Sequence, residues 1–274
     1  MLKLLKFAFL PAAILLFCVS SSTLSAQEAS DWSITNRFAG GRATAVERFR
    51  GQNQTANDGW RTSPQPLLVR AGLSDRASGS VSADYGLASH RLNLSSATER
   101  LSIADFHRSR EVAEASSTWT YTGATPRVFT FVLTLDGDIG REPFPKPFGF
   151  FRLPDVAIAN NERGNINGGI NLILPNGDPV FGFLDGPTNQ NPTFFFPRDL
   201  DAELFTGLFG IPGNGMYMLV FDLLVEPGDM LELNMNSNSD VLRRPGGNLF
   251  GPILTRVTTE LQIFEAMDDG PFRL

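Results

Sequence analysis

From residue 80 to residue 264 the sequence is a succession of short runs in which apolar and polar residues alternate, each closed by a turn signal. Arg127 to Leu135 puts Phe129, Phe131, Leu133 and Leu135 on one face, and Asp136-Gly137 follows as a turn. Arg256 to Phe264 alternates Val257, Thr259, Leu261 and Ile263 against Thr258, Glu260 and Gln262. Period-two alternation is the geometry of a strand with one buried face, and it leaves little room for helices. The fold class this predicts is all-β: an antiparallel β-sandwich of jelly-roll type.

The remaining elements are read on the same basis. Ser80–Tyr85 and Ser89–Leu94 flank "GLA" as two short strands, and Trp119 and Tyr121 join the inner face with Phe129. Residues 216–236 are expected to form a hairpin about Pro227-Gly228, pairing Val225 with Leu231, Leu223 with Leu233 and Phe221 with Met235. One short helix is predicted in "PRDLDAELFTGLFGIPG", where Leu200, Leu204, Phe205, Leu208 and Phe209 share a helical face. The stretch 142–154, rich in proline and phenylalanine, reads as a rigid loop packed by its rings. In residues 27–78 only Trp32–Phe38 and Thr44–Phe49 look strand-like.

The first 26 residues have the three-part pattern of a secretory signal: Lys3 and Lys6, an apolar run from Phe7 to Val19, then "SSSTLSA". That run falls short of the roughly 20 residues needed to span a bilayer, and no later segment supplies an uncharged run of that length. The expectation is export with cleavage after Ala26 and no stable membrane span afterwards. The chain then divides into a leader (1–26), an N-terminal segment adding strands or loops to the same domain (27–78), and the β-sandwich domain (79–274).

Composition narrows the function. The only cysteine, Cys18, lies in the leader, so disulfides, thiolate metal sites and cysteine nucleophiles are not expected. The formal net charge is −6, the leader carries two lysines and no acid, and the remaining bases are almost all scattered arginines. No basic stripe could track phosphates, so nucleic acid is not an expected partner. There is no G-x-S-x-G, and neither H-E-x-x-H nor H-x-H. His90 and His107 read as surface histidines among charged neighbours. No catalytic residue and no cofactor are predicted.

Weaker candidates for binding remain. Trp32 and Trp60 could stack on sugar rings. Asp136, Asp138, Asn176 and Asp178 offer closely spaced oxygens that a calcium ion would accept, although Asp-Gly and Asn-Gly are also ordinary hairpin residues. Glu226 with Asp229, or Glu232 with a neighbour, are candidates for a two-carboxylate glycosidase, although acids at a Pro-Gly turn also have ordinary turn roles.

Four segments in order, "SADYGLAS", "AEASSTWTYTG", "FTFVLTLDGDI" and "LLVEPGDMLELNMN", resemble exported bacterial proteins of the PEP-CTERM class across about residues 80–264. The resemblance implies a β-sandwich delivered to the cell envelope or exopolysaccharide matrix. The chain closes on "TELQIFEAMDDGPFRL", without the Pro-Glu-Pro motif, apolar span and arginine cluster of that class, so sorting to the membrane by that route is not expected. The expected function is a secreted, non-enzymatic sandwich with polysaccharide or envelope components as partners. The alternatives are a secreted carbohydrate-active enzyme and a self-assembling surface subunit that uses open sheet edges.

Overall fold

The computed structural model describes residues 32–62, 66–74, 76–85, 89–98, 106–141, 162–186, 192–206, 215–244 and 253–265. The predicted leader and the 142–154 loop lie outside these residues. The described chain forms β1 (Trp32–Phe49), β2 (Gln52–Thr62), β3 (Leu67–Leu73), β4 (Ala77–Tyr85), β5 (Ser89–Thr98), β6 (Phe106–Tyr121) and β7 (Arg127–Arg141). It continues with β8 (Glu162–Ile173), β9 (Pro179–Gly186), β10 (Thr193–Phe195), β11 (Ala202–Thr206), β12 (Gly215–Val225), β13 (Met230–Arg243) and β14 (Ile253–Glu265).

These strands make two antiparallel seven-stranded sheets: sheet A in the order β11-β12-β7-β14-β5-β4-β3, and sheet B in the order β10-β9-β8-β13-β6-β1-β2. Eight of them form a hairpin rolled up on itself. β5 pairs with β14, β6 with β13, β7 with β12 and β8 with β9, so the first strand of the roll meets the last and the pairing proceeds inward. That is the jelly-roll arrangement. Before it, β3 and β4 widen sheet A beside β5, and β1 and β2 widen sheet B beside β6. The segment before residue 79 therefore contributes strands to both layers, and its two strand-like pieces are parts of one long β1.

Period-two alternation is visible as burial. β6 and β13 bury alternate residues along their length, as do β5 and most of β14. Trp119, Tyr121, Phe129, Phe131, Leu133, Leu135, Val257, Leu261 and Ile263 all face the core, as their spacing predicts.

Several expectations are corrected. Residues 216–236 are not a hairpin. β12 lies in sheet A and β13 in sheet B, and Pro227-Gly228 carries the chain between the layers. The corner is fixed to the end of β6, where Gly228 N–H donates to the Tyr121 carbonyl (2.9 Å) and Tyr121 N–H donates to the Asp229 carbonyl (2.9 Å). Asp136-Gly137 is not a turn either, because β7 runs straight through it. Gly137 faces inward, where a side chain would collide with Leu184 and Ile166, and it serves close sheet packing. The described part of the predicted helix is the edge strand β11; residues 207–214 lie outside the described part. Pairing with Phe221 to Tyr217 of β12 prevails over the helical spacing there.

The interior has two unlike ends. One is aromatic: the Trp32, Tyr121 and Phe129 rings meet with centroids 5.2–5.7 Å apart, and Phe131 stacks on Phe221 at 5.1 Å. The other is hydrogen-bonded. Ser96 Oγ lies 3.0 Å from Ser239 Oγ, Ser239 Oγ 2.7 Å from Thr255 Oγ1, and Ser237 Oγ 2.6 Å from Thr259 Oγ1, each pair bridging the sheets.

Candidate functional site

The side chains most able to do chemistry are sealed inside. His90 and His107 are both 0% exposed, which corrects their expected surface position. They alternate inward on β5 and β6 in register with apolar residues, and so take the inner face with them. His90 Nδ1 contacts the Ser89 carbonyl (2.6 Å), which can only accept, so this nitrogen carries the proton. Nε2 then accepts from the Ser117 hydroxyl, and the ring packs 4.8 Å from Trp119. The contact resembles a nucleophile–base pair, but Nδ1 faces the Ser89 backbone carbonyl and Ser117 is buried. It is a satisfied core pair.

His107 occupies a row across the inner face of sheet B, between Glu47 of β1 and Arg243 of β13. Glu47 is held by Arg76 (2.9 Å) and by the Ser74 hydroxyl (2.9 Å). Beside this row, Glu111 reaches across to β4, where its carboxyl lies against Gly79; a Cβ at Gly79 would sit 1.5 Å from Glu111 Oε1. Ser109 Oγ lies 2.7 Å from Glu111 Oε1 and also contacts the Ser78 carbonyl. The Ser109 hydroxyl donates to Glu111 Oε1, a contact that favours the charged carboxylate. Burial pushes Glu111 up to about 10; the Ser109 hydrogen bond opposes the shift and the Asp240 charge adds to it.

The outer face of sheet A carries polar groups in pairs. Thr130 donates to Asp222 (2.6 Å), Thr258 donates to Asn93 (2.9 Å) and Arg91 lies 3.6 Å from Glu260. Asp136 and Asp138 are on this face, two residues apart. Burial and the Asp138 charge raise Asp136 above the usual carboxylate range, and burial raises Glu260 against the pull of Arg91.

The outer face of sheet B differs. At one margin Phe181 and Phe183 of β9 and Phe195 of β10 stack with centroids 5.6–6.5 Å apart and interplanar angles of 10–29°. All three are exposed, Phe195 at 57%. Between them in sequence, Gly182 leaves room for Phe194 to plug the core, where a Cβ would strike its ring. β10 therefore places Phe194 inward and Phe195 outward. Two rows lead away from the platform: Phe195–Phe181–Asn171–Asn234–Ser116 and Thr193–Phe183–Gly169–Asn236–Glu114–Gly40. A side chain at Gly169 would meet the Asn236 amide, which lies over it. At the far margin, Trp60 of β2 lies over Gly40. From β9 to β1 is four strand spacings, about 19 Å.

The residues singled out in the sequence separate accordingly. Trp32 is a core residue, 4% exposed, so its ring is not open to a sugar. Trp60 is 48% exposed on the outer face. Asp136 and Asp138 stand on β7 of sheet A, whereas Asn176 and Asp178 form the β8–β9 turn of sheet B. There the Asp178 N–H donates to Asn176 Oδ1 (3.0 Å) and the Asn176 amide donates to Asp178 Oδ2 (2.7 Å), an ordinary Asx arrangement. Among the described residues, no group of three or more His, Cys, Asp or Glu is placed to hold a metal ion, and no helix is long and apolar enough to cross a membrane. Glu226 and Asp229 serve the inter-sheet corner, where the Glu226 N–H donates to Asp229 Oδ2 (2.8 Å). Glu232 is exposed on the outer face of sheet B. The phenylalanine platform escaped the sequence reading. The available signal was the alternation F-x-F in "VFGFLDG" with glycine at the inward position.

Neither a scan of protein-family models nor a search of curated proteins gives a match for this chain.

Proposed function

We propose that this is an extracytoplasmic, non-enzymatic β-sandwich protein of the cell envelope or matrix that holds polysaccharide against the outer face of sheet B. The observation that carries the reading is the exposed stack of Phe181, Phe183 and Phe195 bordered by Asn171, Asn234 and Asn236. Flat rings take the C–H faces of sugars, and amides beside them exchange hydrogen bonds with hydroxyls. The extracytoplasmic placement is supported by the leader pattern and by the resemblance described above. A glycan array probed with the chain lacking residues 1–26 tests the reading. Wild type is expected to bind, and a Phe181→Ala/Phe183→Ala/Phe195→Ala variant to bind about a hundredfold more weakly, from ~1 kcal/mol per ring. A blank array for the folded wild type would refute the reading.

One observation favours a second reading, a two-carboxylate enzyme: Asp136 and Glu260 share the outer face of sheet A and are both raised. Its signature is release of reducing ends from a glycan panel, lost in both Asp136→Asn and Glu260→Gln.

A further inference from the structure

We infer that the polysaccharide is an acidic one, because the margin of sheet B opposite the phenylalanines is built to take a carboxylate-bearing sugar; this rests on the polysaccharide binding proposed above. A groove of about 430 Å³ lies on the outer face where β2, β1 and β6 meet. Its charge comes from Arg42, Arg108 and Arg110, its apolar floor from Val46 and Val112, and its wall from Trp60.

The three arginines are not equivalent. Arg108 holds Asp240 through two bonds, Nε at 2.9 Å and Nη2 at 2.7 Å, and is neutralised by it. Arg42 and Arg110 are exposed, and among the described residues neither makes an ion pair. Arg42 pairs with Val112 and Arg110 with Thr44, so the two are diagonal neighbours on adjacent strands. Their Cβ atoms are about 7–8 Å apart, within reach of a single carboxylate for two long side chains. A guanidinium presents paired N–H groups in the plane that a carboxylate matches.

Trp60 supplies the sugar half of the recognition. Its indole lies over Gly40, where a Cβ would come within 2.9 Å of the ring, so the residue beneath must be small for the ring to settle on β1. The indole is left 48% exposed. A ring wall beside two free guanidinium groups fits a pyranose that carries a carboxylate. The surroundings sharpen the point: the whole chain has a net charge of −6, so two unpaired cations in one groove run against its overall field. Two charges do not make the stripe that a nucleic acid needs. Across the sheet, the asparagine rows connect this groove to the phenylalanine platform, a distance that only a polymer of several rings would span.

The test uses the chain without residues 1–26 and measures its affinity for polygalacturonate, for the same polymer with its carboxyls reduced, and for poly-glutamate. Wild type is expected to bind the uronate polymer about tenfold more tightly than the reduced one, two exposed charge contacts being worth that much. Arg42→Gln/Arg110→Gln should remove this difference between the two polymers. Trp60→Ala should weaken binding to both polymers, and poly-glutamate should bind less well than the uronate. Unchanged melting temperatures would show that the variants are folded. Equal binding of both sugar polymers would overturn the acidic assignment and, if still dependent on the phenylalanines, leave polysaccharide binding standing. Poly-glutamate binding as tightly as the uronate would also overturn it. No binding to either polymer would overturn it too, and the glycan array then decides the broader reading separately.

Discussion

The two ends of the sandwich interior share strands β1 and β6 and are built by opposite means. At one end, β1, β6 and β7 bring Trp32, Trp119, Tyr121, Phe129 and Phe131 together, and the packing is of rings. At the other, β1, β6 and β13 bring Glu47, His107, Ser109, Glu111, Ser239 and Arg243 inward, and the interior is filled by polar side chains. The difference shows where the reactive groups of this chain have gone. Both histidines and Glu111 lie inside the fold, 0% exposed. The outer face of sheet B, by contrast, presents exposed rings and exposed arginines.

The contrast can be broken from the aromatic side first. Trp119 is fully buried, and Trp119→Ala is expected to cost about 3–5 kcal/mol, the usual penalty for emptying so large a site. Urea unfolding reads it as a lower midpoint with an unchanged slope. A loss below about 1 kcal/mol would mean that the aromatic end is loosely packed.

Glu111→Gln sharpens the comparison from the other side, and the sign is opposite. The folded pKa, about 10, lies above the ordinary 4.5, so between those values the native state holds a proton that the unfolded chain releases. This contribution to stability is complete below pH 4.5 and is lost as pH rises toward 10, at about 1.4 kcal/mol per unit. Glutamine needs no proton, so the variant should gain ~3 kcal/mol over wild type at pH 7, and more at pH 9. Unfolding curves across this range check it. Equal pH dependence in the two proteins would contradict a protonated Glu111.

Smaller effects test the fit of the hydrogen-bonded end. Gly79→Ala drives a Cβ into the Glu111 carboxyl and is expected to cost ~1–3 kcal/mol, with part recovered in the double variant carrying Glu111→Ala. Ser237→Ala removes one inter-sheet bond to Thr259 and should cost only ~1 kcal/mol, measured by the same unfolding curves.

The same contrast explains what was legible in the sequence. The aromatic end could be read because its alternation is of large apolar residues against polar ones, as in Phe129, Phe131, Leu133 and Leu135. The polar end could not. Along His107, Ser109 and Glu111, polar residues occupy the inward positions too, so hydrophobicity carries no phase and the histidine looked exposed. Sheet membership was hidden for a related reason. Pro227-Gly228 suits a hairpin and an inter-sheet corner equally, and only the docking on Tyr121 distinguishes them. Of the proposed binding face, Trp60 was visible as an isolated tryptophan. The phenylalanine stack depends on the short β10 pairing with β9, and the arginine groove on β1 lying against β6, a pairing remote in sequence.

The central claim is that the outer face of sheet B holds sugar while the interior chemistry is structural. Equilibrium binding of wild type and the Phe181→Ala/Phe183→Ala/Phe195→Ala variant to the best ligand from the glycan array tests it most directly. The account predicts saturable binding that weakens about a hundredfold in the variant, at an unchanged melting temperature. Equal affinity of the two proteins, or a variant altered only in its mass by light scattering, would contradict it and move those rings to another role.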